Sequence, residues 1–535
     1  MRRNDNSRLH ESSKRLDSAG EMSSKIRSQG GRYMTRLFFI LIWVSILFPL
    51  LSLIWAQEYS ELWGATGEKW SSTSRLPDFS FAGYHSGEKP ISTIPPTANV
   101  KSYGAKGDGQ HEDSQAFLDA IAATSHGTIL IPAGRYKISQ ILEIHRGDIV
   151  LRGASPAETV LFFPIPLNRL KPNMGQTTSG RPTSNYSWSG GLIWVKGWRR
   201  SNKLSQVTEG SLRGQQKLSV SLPDQFHPGQ RIEIRMVDDS QQSLLKYLYT
   251  DEAGDTSKIK KPIRISMVCR VISTDGDQLT IDRPLRFDVR SAWQPEIHLD
   301  QPMVTEVGIE NLTIAFPAQK YQGHFTEQGY NAIAFNNVYD CWVRQVRIVN
   351  ADSGIYATGR FCTLEGITFQ AERGTDRRGS TGHHGVQLGS DNLFTDFDFQ
   401  TKFIHDITLS YRSAGNVCSN GRGVDLSLDH HKKAPYENLF SQIDLGIGTR
   451  MWKSGGGRAL GKHCGARGTF WNIRAERNQK WPPKGFGPKI LNLIGIQTDQ
   501  PSLIKTNDKW FEAIDPAQLQ PPDLHQAQLQ YRLNK

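Results

Sequence analysis

The sequence contains little cysteine, and one long stretch of it carries no charge. Five Cys among 535 residues exclude a disulfide-dense scaffold. Apolar residues make up 37% and the 49 Gly about another 9%, which excludes wholesale disorder. The chain is too long for one ordinary core, so its length predicts either several domains or a repeating core that grows lengthwise.

The uncharged stretch covers residues 37–56 and is long enough to span a hydrocarbon layer. Residues 1–36 before it hold nine Lys/Arg against four Asp/Glu and are predicted to be a disordered basic tail. Because Arg32 and Arg36 precede the stretch, charge bias directs the rest of the chain out of the cytoplasm. Two interpretations stay open, a signal peptide beginning at Met34 and a single transmembrane anchor.

Either interpretation predicts a secreted or extracytoplasmic protein. Its contact with a membrane would be made only through residues 37–56, if they are not cleaved. Although the net charge is +12, an exported chain is not expected to bind nucleic acid.

A helix pattern and a set of short strand patterns follow one another after residue 97. Asp113–Ala123 has apolar residues at helical spacing, with Asp113 or Ser114 as the N-cap. The short apolar runs after it, bounded by Gly, Pro or Asn/Asp, indicate an all-β domain. Two segments flank the helix, Val-Lys-Ser-Tyr-Gly-Ala-Lys-Gly-Asp-Gly before it and Gly-Thr-Ile-Leu-Ile-Pro-Ala-Gly-Arg-Tyr after it.

This order, over residues 98–163, resembles the N-terminal segment of the pectate-lyase superfamily. The resemblance implies a right-handed parallel β-helix whose first coil is capped by the helix. The polygalacturonase-type motifs Asn-Thr-Asp, Asp-Asp and Gly-His-Gly do not occur here in successive rungs. No catalytic residue is therefore carried over from a named family.

Repeats in the C-terminal half support the same fold. The segments starting at Asn392 and Asn438 share the pattern N-L-F-[ST]-x-[FI]-D-[FL], and Asn416 lies between them at steps of 24 and 22 residues. A period in this range is typical of a solenoid. The predicted fold is an all-β, single-stranded, right-handed parallel β-helix with an N-terminal capping helix and a small inserted β module. The predicted boundaries are 57–97 for a leader or linker, 98–500 for the β-helix, roughly 164–300 for the insertion and 501–535 for a C-terminal tail.

Three long loops concentrate histidine and basic residues, and they cover 372–384, 429–436 and 448–467. Long loops on a solenoid are more typical of function than of structure. A step of 19 residues joins the apolar positions Ile407, Leu426 and Leu445. The same step would align two columns, Arg412–His431–Arg450 and Tyr411–His430–Thr449. Because Arg pairs a carboxylate in a fork, such a column indicates an acidic sugar.

These residue types fit β-elimination on a uronate-containing polysaccharide, which needs a base, an acid and a cation for the carboxylate. We predict a polysaccharide lyase in which His430 or His431 is the base or proton relay. Tyr436 or His384 is the predicted acid partner. The predicted substrate-binding residues are Arg412, Arg422, Arg450, Lys453, Trp452, Arg467 and His463.

Two alternatives stay open from the sequence. One is a glycoside hydrolase that uses Asp429 with another loop carboxylate, and the other is a non-catalytic glycan-binding or adhesin-like β-helix. Asp429 is also a candidate metal ligand. No ligand spacing identifies a cofactor, and a divalent cation such as calcium is the candidate.

Overall fold

The computed structural model describes residues 57–177 and 179–534. The predicted basic tail and the uncharged stretch at 37–56 lie outside the described residues. Within the described ranges, no helix is both long and apolar enough to cross a membrane.

One face of the β-helix is a seven-stranded parallel sheet. Residues one coil apart stack at about 4.8 Å, so inward positions form apolar ladders. One such ladder places Ile333, Ile355, Val386, Ile407 and Leu428 in register, each at most 1% exposed. The strands in chain order are Leu142–Ile144, Ile193–Lys196, Asn331–Asn336, Ser353–Arg360, Gly382–Ser390, Phe403–Leu409 and Leu428–His430.

The remaining faces are formed by one continuous 17-stranded sheet that is bent along its length. Its inward residues, among them Val343, Leu364, Phe394, Phe440 and Phe470, stack in one buried column. The strands in chain order are Pro96–Asn99, Asp108–Glu112, Gly127–Ile131, Gly134–Lys137, Ile149–Gly153, Thr159–Phe162, Gly308–Ala315, Trp342–Val349, Thr363–Gln370, Leu393–Thr395, Asp398–Phe399, Val417–Gly423, Leu439–Asp444, Thr469–Arg474, Asn492–Ile496, Leu503–Ile504 and Trp510–Glu512.

The bend in this sheet comes from a column of residues in the left-handed region. One such residue lies at the same register in each of eight successive coils, and its φ value is between 49° and 66°. Asn, Asp and Gly tolerate this region best, and they supply six of the eight positions. The column consists of Asn311, Gln345, Gly366, Asp396, Asn420, Gln442, Asn472 and Gly495.

A second column, of buried asparagines, ties neighbouring coils together. Asn416 Oδ1 accepts from the Asn392 backbone N–H (3.1 Å), and Asn438 Oδ1 accepts from the Asn416 backbone N–H (3.0 Å). All three side chains are at most 1% exposed. The predicted repeat of these asparagines is therefore a hydrogen-bonded ladder.

The expected capping helix and inserted module are both present, so the predicted fold class is confirmed. The helix begins at Ser114 rather than Asp113. The carboxylate of Asp113 accepts from the backbone of Lys106 and Gly107 instead of capping the helix. The α-helices are Ser114–Ala123, Leu167–Leu170, Ser243–Leu248 and Leu524–Leu533. The 3₁₀ turns are Tyr84–Gly87, Val100–Tyr103, Asn185–Ser187, Pro223–Gln225 and Ser291–Trp293.

The inserted module is a six-stranded antiparallel sheet with its own apolar core. Residues 193–196, inside the expected insertion, belong instead to the β-helix, where they pair with Asn331–Asn336. Buried ion pairs join the module to the coils, including Arg283 and Arg286 with Asp391. The module strands are Lys203–Gln206, Lys217–Ser219, Arg231–Val237, Arg264–Asp275, Gln278–Ile281 and Glu296–Leu299. Three two-stranded sheets pair Glu58–Tyr59 with Leu519–Gln520, Met174–Gln176 with Pro182–Ser184, and Arg199–Arg200 with Gln301–Pro302.

Residues 58–95, which we call the strap, pack along the coils from the last to the first. At one end Ser60 Oγ donates to Glu512 (3.1 Å), and at the other Thr128 Oγ1 donates to the Ile94 carbonyl (2.7 Å). Residues 503–533, expected as a tail, instead form short strands and the helix Leu524–Leu533. That helix buries Leu524 against Trp63 and Phe79 of the strap, because an exposed last coil would leave apolar residues in water.

Candidate active site

The outward face of the seven-stranded sheet carries a polar column that ends at Asp429. Tyr356, Gln387, Thr408 and Asp429 stack in register, one per coil. The neighbouring column stacks Ser353, His384 and His405. The strand that carries Asp429 ends at His430, so the next residue, His431, lies on the turn above the carboxylate.

Asp429 is fully buried and holds two imidazoles through one oxygen. Its Oδ2 lies 2.8 Å from His431 Nδ1 and 3.2 Å from His405 Nδ1. The Thr408 hydroxyl donates to the same oxygen at 3.2 Å, and the Gly455 backbone N–H donates to Oδ1 at 2.6 Å. Both rings therefore present Nε2 away from the carboxylate.

Gly455 is required by this arrangement. A Cβ at this position would lie 2.4 Å from His431 Cε1 and 2.6 Å from His405 Cε1, far inside contact distance. Only glycine lets the backbone approach closely enough to donate to Asp429.

The pKa values of the two imidazoles that flank Asp429 are shifted in opposite directions. Burial lowers the pKa of His405 to about 3 in spite of Asp429, so His405 is neutral. Burial also opposes a charge on His431, but Asp429 outweighs it and raises the His431 pKa. Burial would raise the pKa of Asp429 as well, but His405 and His431 outweigh it and hold this pKa below its usual range.

His324, His383 and His384 lie near His405 and His431. We call these five residues the histidine cluster. His384 stacks on His405 with ring centroids 5.0 Å apart and 25° between the planes. His384 Nδ1 lies 2.9 Å from Thr408 Oγ1, and since that hydroxyl donates to Asp429 it accepts from His384. Burial lowers the pKa of His383 and of His384 far below its usual range.

Basic side chains surround the cluster. Arg378 and Arg181 are close enough to His324 to contribute to its lowered pKa of about 4, after the larger effect of burial. Partial burial together with Arg450 and Arg378 lowers the pKa of Lys453, and Lys402 adds to that effect. Arg181, Arg378 and Lys453 are exposed, so they form a basic rim that an anionic ligand would meet first.

Three of the residues predicted from the sequence lie together in this site, namely His384, His431 and Asp429. The register that aligned Arg412, His431 and Arg450 in one column was wrong. Ile407 pairs with Leu428 and not with Leu426, so the step between these coils is 21 residues and not 19. The expected Arg412–His431–Arg450 column therefore does not form.

His430, a predicted base, is turned away from the cluster. It is 0% exposed, and its ring packs against Phe440, Phe470 and Phe486 inside the coils. Tyr436, a predicted acid, is 1% exposed and belongs to the core that the module shares with the coils.

Two of the predicted arginines are structural. Arg450 donates to Asp406 and to the Asp425 carbonyl, and Arg467 pairs with Glu437. Arg450 and Arg467 are both buried. Each neutralises a carboxylate that is itself buried, which offsets the cost of removing that charge from water.

Other predicted ligand residues lie apart from the cluster or are already engaged. Arg422 pairs with Asp398 on the other sheet, where it lines a surface cavity of about 370 Å³. Arg412 donates to the Arg264 carbonyl of the module. Trp452 packs edge-on against Phe470 and Phe486, and His463 Nδ1 lies 3.1 Å from the His430 carbonyl. Among the predicted substrate-binding residues, Lys453 is the one on the basic rim.

The sequence interpretation missed His324, His383 and His405. A signal for His405 existed, since the step of 21 residues from His384 to His405 equals that from Thr408 to Asp429. His324 lies in the irregular segment between Gly308–Ala315 and Asn331–Asn336, where no periodicity places a side chain.

Comparison with known proteins finds a family match over a short N-terminal part of the chain. Residues 97–163 match the family described as "Rhamnogalacturonase A/epimerase, pectate lyase-like". The chain therefore resembles the pectate lyase-like right-handed β-helix proteins. This agrees with the resemblance seen over residues 98–163 and with the parallel ladders of the structure.

Curated relatives match over a short part of the chain. Mannuronan C5-epimerase AlgE4 of Azotobacter vinelandii is 35% identical over 97 residues, which is 16% of this chain and 18% of that protein. Alginate lyase 7 of the same organism is 31% identical over 100 residues, 17% of this chain and 12% of that protein. Plasmin and fibronectin-binding protein A of Streptococcus pneumoniae is 32% identical over 113 residues, 18% and 15% respectively.

These matches span less than a fifth of the length of each of these relatives. Among solved structures, the tailspike protein gp49 of Pseudomonas phage LKA1 aligns at 14% identity with a TM-score of 0.43. The alignment covers 71% of this chain and 64% of that one.

Proposed function

We propose that the protein is an extracytoplasmic polysaccharide lyase that cleaves a uronate-containing polymer by β-elimination at the histidine cluster. In this reaction the base removes the proton α to the uronate carboxylate. The C4–O bond then breaks as a C4–C5 double bond forms, and the departing oxygen takes a proton from the acid. The polymer is cut without addition of water.

The observation that carries the proposal is the shared carboxylate of Asp429. It contacts Nδ1 of both His405 and His431, which fixes the two rings and directs both Nε2 atoms away from itself. His405 supplies a free lone pair and acts as the base. His431, whose pKa is raised by Asp429, acts as the acid toward the leaving oxygen.

The basic rim supplies what the carboxylate of a uronate needs. Loss of the α proton places negative charge next to the carboxylate, and nearby cations stabilise that charge. The rim residues Arg181, Arg378 and Lys453 supply this positive charge, since the charges of Arg378 and Arg181 act on His324 and that of Arg378 also acts on Lys453.

The names of the relatives support an acidic polysaccharide as substrate. Mannuronan and alginate, which appear in those names, are both uronate polymers. A hydrolase built on Asp429 is less favoured, because both of its oxygens are already engaged by His431, His405, Thr408 and Gly455.

The test is digestion of a panel of uronate polymers by the full chain, followed through the ultraviolet absorbance of the unsaturated product. We expect turnover by the wild type and a loss of roughly 100-fold or more in both His405→Gln and His431→Gln. The control is His227→Gln, an exposed histidine of the inserted module, which should keep the wild-type rate.

Three results would contradict the proposal. The first is full activity in both cluster variants. The second is the appearance of reducing ends without unsaturation, which would indicate the hydrolase. The third is glycan binding without product, which would indicate the adhesin-like alternative.

A further inference from the structure

Three members of the histidine cluster form a set with the geometry of a metal centre. One ring nitrogen from each of His324, His383 and His405 lies within 4.8 Å of the other two. The residues come from three separate segments, since His383 begins one strand, His405 lies in the next, and His324 lies in the segment before Asn331–Asn336. The fold therefore brings together side chains that share no local pattern in the sequence.

The state of His383 points to a missing ligand. Its side chain is buried, with the residue 1% exposed, yet neither ring nitrogen makes a hydrogen bond among the described residues. Glu327 Oε1, 3.5 Å from Nδ1, and the backbone of Ser187 are its polar neighbours, and neither is placed for a hydrogen bond of good geometry. A buried imidazole without a partner is costly, and a bound metal ion would remove that cost.

The orientation of His405 is also typical of a metal ligand. Its Nδ1 faces the carboxylate of Asp429 at 3.2 Å, which leaves Nε2 for another partner. Ligating histidines are commonly oriented by a carboxylate on the opposite nitrogen. Asp429 is itself fixed by Thr408 and Gly455, so the orientation of His405 is built into the coil.

The type of ligand atom determines which metal ions this site would favour. Three neutral imidazoles suit zinc, nickel, copper or cobalt, whereas calcium and magnesium prefer oxygen ligands. A tetrahedral zinc site needs its nitrogens about 3.3 Å apart, so the ring nitrogens, which lie within 4.8 Å of one another, would approach by at most about 1.5 Å around the ion. The five cysteines are buried free thiols, and the set contains none of them.

We propose that His324, His383 and His405 bind one divalent transition metal ion, such as Zn²⁺, with His405 contributing Nε2. The lone pair that binds the metal is the one that would accept the substrate proton. Metal binding therefore blocks the base of the proposed lyase, and this consequence alone depends on the proposed function.

The test measures binding without substrate. The full chain, freed of metal with a chelator, is titrated with Zn²⁺ by calorimetry and with Co²⁺ by visible absorption. We expect one site per chain, with a d–d spectrum typical of nitrogen ligands. Affinity should fall at least tenfold in both His383→Gln and His324→Gln.

Two controls keep the result interpretable. His227→Gln, at an exposed histidine of the inserted module, should bind the metal as the wild type does. Circular dichroism should show that both ligand variants are folded, and His324, which is only half-buried, is the variant expected to tolerate the change best. The proposal is overturned if the wild type takes up no Zn²⁺ or Co²⁺, or if the two ligand variants bind as tightly as the wild type. Since no substrate is present, these outcomes leave the lyase proposal to its own test.

Discussion

The single side chain of Asp429 determines the orientation of two imidazoles in this site. Its carboxylate fixes two rings, holds a proton on one of them and accepts from the Gly455 backbone. Removal of its charge should therefore affect the chemistry far more than the stability of the β-helix.

Asp429→Asn should lower the rate of polymer cleavage by roughly 100-fold or more, because an amide has no negative charge to stabilise a protonated His431, and its NH₂ group would face the Gly455 N–H donor if its oxygen faced the rings. The His431 pKa should also fall, which an NMR titration of its ring protons would show. Asp398→Asn, a change to an ion-paired carboxylate on the other sheet, is the matched control and should keep the rate. An unchanged His431 titration in Asp429→Asn would contradict the assignment.

The two adjacent histidines illustrate what the sequence could establish. The sequence pointed to the pair His430–His431 beside Asp429, and one of the two does lie on the carboxylate. Which of them faces inward depends on the register of a single strand. The assumed step between the coils of Ile407 and Leu428 was two residues too short, so His431 was given the wrong partner in the expected column.

At the scale of strands, the apolar ladders and the asparagine repeat follow from the sequence because stacking makes equivalent positions repeat. The left-handed column does not follow from it. Its residues are of four types at uneven spacing, and Gln345 and Gln442 have no intrinsic preference for that region. The column is therefore not recognisable from spacing alone, although six of its eight residues are Asn, Asp or Gly.

The asparagine ladder should be a main source of coil-to-coil stability. Asn416→Ala would leave the Asn392 N–H and the Gly389 carbonyl buried without their partners. The free energy of unfolding should fall by about 2–4 kcal/mol, measured by denaturant titration. Asn478→Ala, at an exposed position, should change it by less than about 0.5 kcal/mol. Equal effects of the two changes would argue against the ladder.

Docking of the inserted module should depend on pH through Glu233. This carboxylate is buried, but Arg360 of the coils and Arg199 outweigh burial and lower its pKa to about 2. Its unfolded pKa is about 4.3. The stabilisation is therefore complete above that value and is lost as the pH falls toward 2, an effect of roughly 3 kcal/mol.

Thermal unfolding measured between pH 5 and pH 2 would show this loss of stability. The pH range over which stability falls lies approximately between the unfolded and folded pKa values of Glu233. Glu233→Gln should be less stable than the wild type at pH 5 and should show a flatter dependence on pH. A variant with the same slope as the wild type would show that Glu233 is not the group that titrates.

At the scale of the whole β-helix, the strap and the helix Leu524–Leu533 close the last coils. Trp63 of the strap is 1% exposed and packs against Trp70 and Tyr531. Loss of the Trp63 side chain should release the strap and, at the same time, expose the final coils.

Trp63→Ala should cost about 3–5 kcal/mol. Limited proteolysis should then cut the strap and residues 503–533 at similar rates, well before the central coils. Trp198→Ala, at a residue that is 53% exposed, should leave the cleavage pattern unchanged. Cleavage of the strap alone would show that the two segments are not coupled.

The position of the strap in the sequence also affects when it can pack against its partners during synthesis. Ser60 leaves the ribosome early, whereas its partner Glu512 lies 452 positions later. At about 5–20 residues per second, that interval is roughly 20–90 s. The strap therefore stays beside a growing stack of coils until the residues around Glu512 have been translated.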